Sequence, residues 1–185
     1  SLECNCCFIQ SLDVSKNLKL TSLKCNNCGL KDLDVSKNKN LTHLECGNLL
    51  IIDGNNNDII DEEDLEYMNT IRELNLSNNK SLQQLIFKNL WFISSIDLSN
   101  NQELKKLDCE QASISTLNIS KCPKLVELNC GLTDIHILDI SNNFELENIN
   151  CNYSKITSLD ISNNQKLKSL SCSYTAISTL DISNC

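Results

Sequence analysis

Basic residues, histidine, proline, glycine and aromatics are all scarce in this chain, and each shortage removes a class of answers. Sixteen Lys and Arg face 24 Asp and Glu, a formal net charge of -8. With no basic stripe to neutralise phosphates, nucleic acid is excluded as a partner. His43 and His136 are the two histidines, both at variable outward positions, and no HExxH, paired-carboxylate site or Gly-rich phosphate loop accompanies them. Catalysis therefore has no visible machinery. No run of 18 apolar residues and no signal-like N-terminus occur, which argues against membrane insertion. One Pro and four Gly in 185 residues leave nothing to divide the chain, so 1–185 reads as a single elongated domain. Long Ala or Glu runs are also missing, so helices are not expected to close the fold.

What the chain has instead is a phrase, Leu-Asp-Ile-Ser-Asn-Asn, that recurs with nearly fixed spacing. It begins at Leu12, Leu33, Leu74, Ile96, Leu117, Leu138, Leu159 and Leu180. A sustained period of this kind marks a solenoid, in which each coil is too short to bury its own apolar face and must stack on its neighbours. Between the phrases lies a half-repeat Leu-x-x-Leu-x-Cys, as in Leu20-Leu23-Cys25 and Leu125-Leu128-Cys130. Both halves alternate apolar and polar residues. Each coil is thus predicted to contribute two very short parallel strands joined by extended or 3₁₀-like backbone.

The unit LxxLxCxxxxIxxLDISNNxx resembles the leucine-rich repeat family, and within it the bacterial subclass of nested half-repeats called IRREKO. The resemblance covers nearly the whole chain. It implies an α/β solenoid, a right-handed superhelix of about eight to nine coils that is mostly β and turn. It also implies a non-catalytic interaction module of a bacterial cell-surface or secreted protein, binding a protein or glycan partner through its open strand face. The alternative is a spacer or stalk with no partner of its own. Both termini fall inside half-repeats without polar caps, so a fragment of a longer protein is expected.

Position within the repeat sorts the twelve cysteines. Cys4, Cys25, Cys46, Cys109, Cys130, Cys151 and Cys172 occupy an inward strand position and should pack as small hydrophobes. Cys122 and Cys185 stand where other coils carry Asn17, Asn38, Asn79, Asn101, Asn143 and Asn164. That row is expected to satisfy loop backbone amides. The N-terminal group Cys4, Cys6, Cys7, Cys25 and Cys28 leaves open a zinc site or a disulfide besides ordinary packing. The ladder of Asp13, Asp34, Asp97, Asp139, Asp160 and Asp181, with Asn75 and Asn118, is followed in each coil by Ser two residues on. Bonds to local amides or to that Ser should offset the repulsion.

One segment breaks the repeat, an insertion over 47–70. Its reading Asp53-Gly54-Asn55-Asn56-Asn57-Asp58-Ile59-Ile60-Asp61-Glu62-Glu63-Asp64 places oxygen side chains at the spacing of an EF-hand loop. Asp53, Asn55, Asn57, Asp61 and Asp64, with the carbonyl of Ile59, are the predicted ligands of a structural Ca2+. Asp58 replaces the usual Gly, and Asp64 replaces the usual Glu in a dockerin-like manner. A short helix is predicted over Glu62 to Met68.

Two groups of apolar residues suit partner contact. Leu132, Tyr153 and Tyr174 align on successive coils as an exposed stripe, in a row that also holds Asn27, Asn48, Asn89 and Gln111. Trp91 and Phe92 lie in the irregular coil after the insertion, where Phe87 replaces the repeat cysteine. They cannot both face inward, and the inserted helix, around Tyr67 and Met68, is expected to cover at least one of them.

Overall fold

The computed structural model describes residues 1–48 and 68–181. Its strands are β1 (Leu2–Glu3), β2 (Ser22–Lys24), β3 (His43–Glu45), β4 (Gln84–Ile86), β5 (Lys106–Asp108), β6 (Glu127–Asn129), β7 (Asn148–Asn150) and β8 (Ser169–Ser171). They form one parallel sheet in sequence order. Register follows the repeat: Leu23 pairs with Leu44, Leu44 with Leu85, and Leu128 with Ile149. The central residue of each strand from β2 to β7 is 0–2% exposed, and the inward cysteines Cys25, Cys46, Cys109, Cys130 and Cys151 are 0% exposed beside it. Coil-to-coil bonding runs on past the strands, as from Cys25 N–H to the Glu45 carbonyl at 2.8 Å and from Cys130 N–H to that of Asn150 at 2.8 Å.

Among the described residues the second predicted strand does not form. In the Leu-Asp-Ile-Ser half the carboxylate takes the amide that a ladder would need: Asp13, Asp34, Asp97, Asp139 and Asp160 accept from the Ser N–H two residues on at 2.8–2.9 Å. Asn75 and Asn118 do the same at 3.1 Å. The chain then turns through bonds such as Asn17 N–H to Val14 and Asn143 N–H to Ile140, at 2.9 and 3.0 Å. An alternating pattern had one face to bury, and a side-chain turn supplied it without sheet pairing.

These turns make the fold acid-sensitive. Bonds from the following Ser hold the carboxyls of Asp13, Asp34, Asp97, Asp139 and Asp160 below their ordinary value. A carboxyl depressed in the folded state contributes stability above its unfolded pKa of about 3.9, and that contribution is lost as pH falls through the folded value. Urea midpoints are accordingly expected to stay level between about pH 5 and pH 7 and to fall below about pH 4. A level profile down to pH 2 contradicts this.

The buried Asn row works in the opposite sense to the expectation. Asn38, Asn79, Asn101, Asn143 and Asn164 are 0% exposed, and each donates its Nδ2 to carbonyls of the preceding coil. Asn143 does so to Ile119 and Cys122 at 3.0 and 2.8 Å. The Oδ1 atoms of these five have no partner among the described residues. The row therefore needs a donor only, which explains how Cys122 fits it: its thiol donates to the Leu98 carbonyl at 3.9 Å.

No helix occurs among the described residues; the helix predicted over Glu62 to Met68 lies outside them apart from Met68, which is buried. The described coil narrows the insertion from 47–70 to 49–68. Asn48 N–H bonds the Lys88 carbonyl as Gln111 N–H bonds that of Gly131, and Thr70 N–H bonds Leu30 as Ala176 N–H bonds Ile156. Asn48 and Asn69 thus occupy positions that are consecutive in an ordinary coil. Gly47 is required beside them, because a Cβ there would lie 2.4 Å from the Lys88 carbonyl oxygen.

Candidate partner-binding face

The open face of the sheet changes character along its length. At β4 and β5 it is charged and self-satisfied: Lys88 Nζ reaches Asp108 Oδ2 at 3.1 Å and Glu110 Oε2 at 3.0 Å. Burial pushes the Asp108 carboxyl up, against the lowering effect of Lys88. Lys106 pairs with Glu127 at 2.6 Å and Lys168 with Glu147 at 2.8 Å. From β6 to β8 the remaining outward strand side chains are Asn129, Asn148, Asn150, Ser169 and Ser171, which line a shallow groove of about 400 Å³ running across β5 to β8. Part of this row is tied to the turn beyond it, since Asn129 Oδ1 accepts from Gly131 N–H at 3.2 Å and from Asn150 Nδ2 at 3.0 Å.

Leu132, Tyr153 and Tyr174 follow three residues after the groove-lining Asn129, Asn150 and Ser171 and are 47%, 53% and 77% exposed. The two rings stack with centroids 4.5 Å apart and planes 8° from parallel. All three residues have left-handed backbone, with φ of 55°, 58° and 56°. The turn out of each strand imposes it, so that Leu132 N–H and Tyr153 N–H can reach the Asn152 and Ser173 carbonyls, both at 2.8 Å. Asn27 and Asn89 fill the same row at φ 51° and 56°, and Asn is among the few residues that tolerate this region. Leu and Tyr do not, and their side chains gain little burial in return. Sequence-strain mismatch of this kind is a pointer to function.

The rest of the predicted row differs. Asn27 and Asn48 were expected in the exposed row and are only 2% exposed each, and the adjoining Asn26 and Asp108 are 1% and 7% exposed. Neighbouring coils cover them because these side chains bridge coils. Asn26 Oδ1, for example, accepts from Gly47 N–H at 2.9 Å. Trp91 and Phe92 are half-buried and are not brought to the stripe. The Arg72 guanidinium lies 5.1 Å from the Phe92 ring centroid, and both line a polar cavity of about 540 Å³ with Ser94, Ser95 and Asp97.

The predicted calcium ligands Asp53, Asn55, Asn57, Ile59, Asp61 and Asp64 lie outside the described residues. Among the described residues no group of three His, Cys, Asp or Glu is placed to hold a metal ion, so the N-terminal zinc arrangement does not form. Its thiols turn to separate carbonyls: Cys28 to Cys4 at 2.9 Å, Cys4 to Lys24 at 3.6 Å and Cys7 to Asn5 at 3.3 Å. No disulfide joins the described cysteines. Burial pushes the thiols of Cys4 and Cys151 up to about 11 and that of Cys46 to about 12, which leaves these three as unreactive packing groups.

Asn69 is the residue that sequence reasoning missed. It is 1% exposed; its Nδ2 donates to the carbonyls of Cys25, Cys46 and Gly47 at 2.7, 2.9 and 3.2 Å. Its Oδ1 accepts from Cys28 and Leu30 N–H, both at 3.0 Å. Thr133, Ser154 and Thr175 make the equivalent bond to the Cys carbonyl three residues back. Counting back two residues from Ile71, as from Ile135, would have found it.

Eight parallel strands stacked coil upon coil among the described residues, with an inward cysteine row, decide the architecture. The fold is that seen in leucine-rich repeat proteins. Its structural neighbours are bacterial. The functional domain of InlJ from Listeria monocytogenes, which includes a cysteine ladder, superposes with a TM-score of 0.69 over 99% of this chain at 26% identity. An internalin, InlF, from the same species gives 0.65 over 95% at 20%, and the leucine-rich repeat protein LIC12759 of Leptospira interrogans gives 0.65 over 94% at 17%. The chain spans 41%, 48% and 48% of the lengths of these three. No protein-family model and no curated protein matches the sequence. The solenoid has its own cysteine ladder, broken at β4, where Phe87 takes the place of the thiol and is fully buried.

Proposed function

We propose that this leucine-rich repeat solenoid is a non-catalytic recognition module of a bacterial surface or secreted protein, taking its partner on the strand face of β6 to β8 beside Leu132, Tyr153 and Tyr174. The observation that carries the reading is the left-handed, exposed placement of these three large apolar or aromatic residues in a row that holds Asn27, Asn89 and Gln111 in other coils. A stalk has no use for side chains that strain the backbone and stay in water. The InlJ and internalin neighbours support an interaction role by likeness of fold.

The test is binding of the purified chain to a panel of immobilised purified proteins and glycans, run in parallel with Tyr153→Ala/Tyr174→Ala. Saturable binding lost in the double variant is expected. Equal binding by both chains contradicts the assignment of this face, and absence of any binding favours the stalk.

The insertion adds a structural calcium site in this proposal. Asp53, Asn55, Asn57, Asp61 and Asp64 with the Ile59 carbonyl supply hard oxygen donors at EF-hand spacing, with affinity in the extracellular range of about 10⁻⁴ to 10⁻³ M.

A further inference from the structure

We infer that the ligand of the β6–β8 face is an uncharged oligosaccharide. The inference rests on the recognition reading above and names the chemistry of the same site.

Charge comes first. The acidic and basic side chains around the groove are already matched to one another: Lys88 to Asp108 and Glu110, Lys106 to Glu127, Lys168 to Glu147. An anionic or cationic ligand would have to break one of these pairs to find a counter-charge. Between them the face offers amides and hydroxyls only, from Asn129, Asn148, Asn150, Ser169 and Ser171. Their polar atoms are not all committed to the fold, since the Oδ1 of Asn129 and of Asn150 takes local amides while the Asn148 amide and the Ser169 and Ser171 hydroxyls lie outward on the strands.

Apolar recognition is poorly served by the same face. A peptide partner is anchored by side chains that fill apolar pockets. Here the strand leucines point away, with Leu107, Leu128 and Ile149 0–2% exposed. The apolar area that is offered is the rim of Leu132 and the two tyrosines. Stacking 8° from parallel closes the facing ring surfaces of Tyr153 and Tyr174 to a ligand, which leaves the outer ring surface of the 77% exposed Tyr174, the ring edges and the phenolic hydroxyls. Sugars match this set: a ring of hydroxyls that both donate and accept suits Asn amides, Ser hydroxyls and Tyr hydroxyls, and its C–H edges suit a narrow apolar rim. The groove crosses the strands, so successive coils present amides from Asn129, Asn148 and Asn150 and then hydroxyls from Ser169 and Ser171 to successive units of an extended chain.

The experiment is an array of neutral hexasaccharides built from glucose, mannose or N-acetylglucosamine, with sulfated and uronic acid oligosaccharides beside them, followed by calorimetry on the best neutral probe. Saturable binding to a neutral probe is expected, weakened at least tenfold by Asn148→Lys and by Tyr174→Ala, and unchanged by Thr116→Ala on the opposite side of the coil. Unchanged circular dichroism confirms that each variant is folded. Binding confined to the charged probes overturns the inference, as does neutral binding indifferent to Asn148→Lys and Tyr174→Ala. Binding of a deglycosylated purified protein through this face, with no neutral probe bound, overturns the sugar while leaving the recognition face standing; loss of both overturns both.

Discussion

Asn69→Ala is expected to lower the thermal midpoint by about 10 °C, the largest effect of any single substitution considered. The side chain is 1% exposed and fully used: three carbonyls from two coils receive its Nδ2, and two amides of the first of those coils donate to its Oδ1. Alanine leaves five buried backbone groups without that partner. Unsatisfied buried polar groups cost about 1–3 kcal/mol each when relaxation is limited. Losses of about 3–5 kcal/mol in all follow after partial repair, and for a chain of this size each kcal/mol moves the midpoint by about 2–4 °C. Thr133→Val is the natural comparison, since its hydroxyl makes one such bond, to the Cys130 carbonyl at 2.7 Å, and it should cost about 1 kcal/mol. If Asn69→Ala and Thr133→Val fall by the same small amount in thermal unfolding followed by circular dichroism, Asn69 is not the clamp described.

Excision of residues 49–68, joining Asn48 directly to Asn69, is expected to leave the solenoid folded and to remove calcium binding completely. The two flanking residues already face one another as neighbours: Asn69 N–H bonds Asn48 Oδ1 at 2.7 Å, and Asn48 Nδ2 bonds the Asn69 carbonyl at 3.1 Å. The strands on either side, β3 and β4, pair in register without reference to the insertion. Shortening the chain at that point restores the 21-residue period and removes loop-closure entropy, a modest gain. The cost is the loss of Met68, which is buried, so the net change in stability should be small. Terbium luminescence supplies the second readout: saturable binding in the parent, absent in the excised chain and in Asp53→Ala. Collapse of the excised chain sinks the boundary assignment; no saturable binding by the parent below about 10 mM sinks the calcium loop.

Periodicity made the solenoid and the inward residues legible before any coordinates, because stacking forces every coil to bury the same positions. Leu23, Leu44 and Leu85 in one strand row and Cys25, Cys46 and Cys109 in the next are where the repeat puts them. The second strand failed for a local reason. Alternation reports burial on one face, and a carboxylate that takes the Ser amide yields the same alternation without a ladder, as at Asp97 and Ser99. The Asn rows failed for a related one. A polar residue in a loop reads as solvated, yet Asn26, Asn27 and Asn48 are enclosed because the next coil lies about 5 Å away and its amides and carbonyls become their solvent. The partner stripe was legible as an aligned row; that its backbone is left-handed was not, since only Asn27 and Asn89 in the same row hinted at it.

Recognition and structural readings of that stripe part most clearly in the stability of Leu132→Asn/Tyr153→Asn/Tyr174→Asn. Asn relieves left-handed strain of about 1–2 kcal/mol per residue, while the lost tyrosine stack was worth about 0.5–1.5 kcal/mol. Urea unfolding of the triple variant should therefore give a midpoint equal to or above that of the parent. An unfolding free energy lower by about 2 kcal/mol or more, on the scale of a lost packing cluster, would mean that the three side chains hold the coils together and are not kept for a partner.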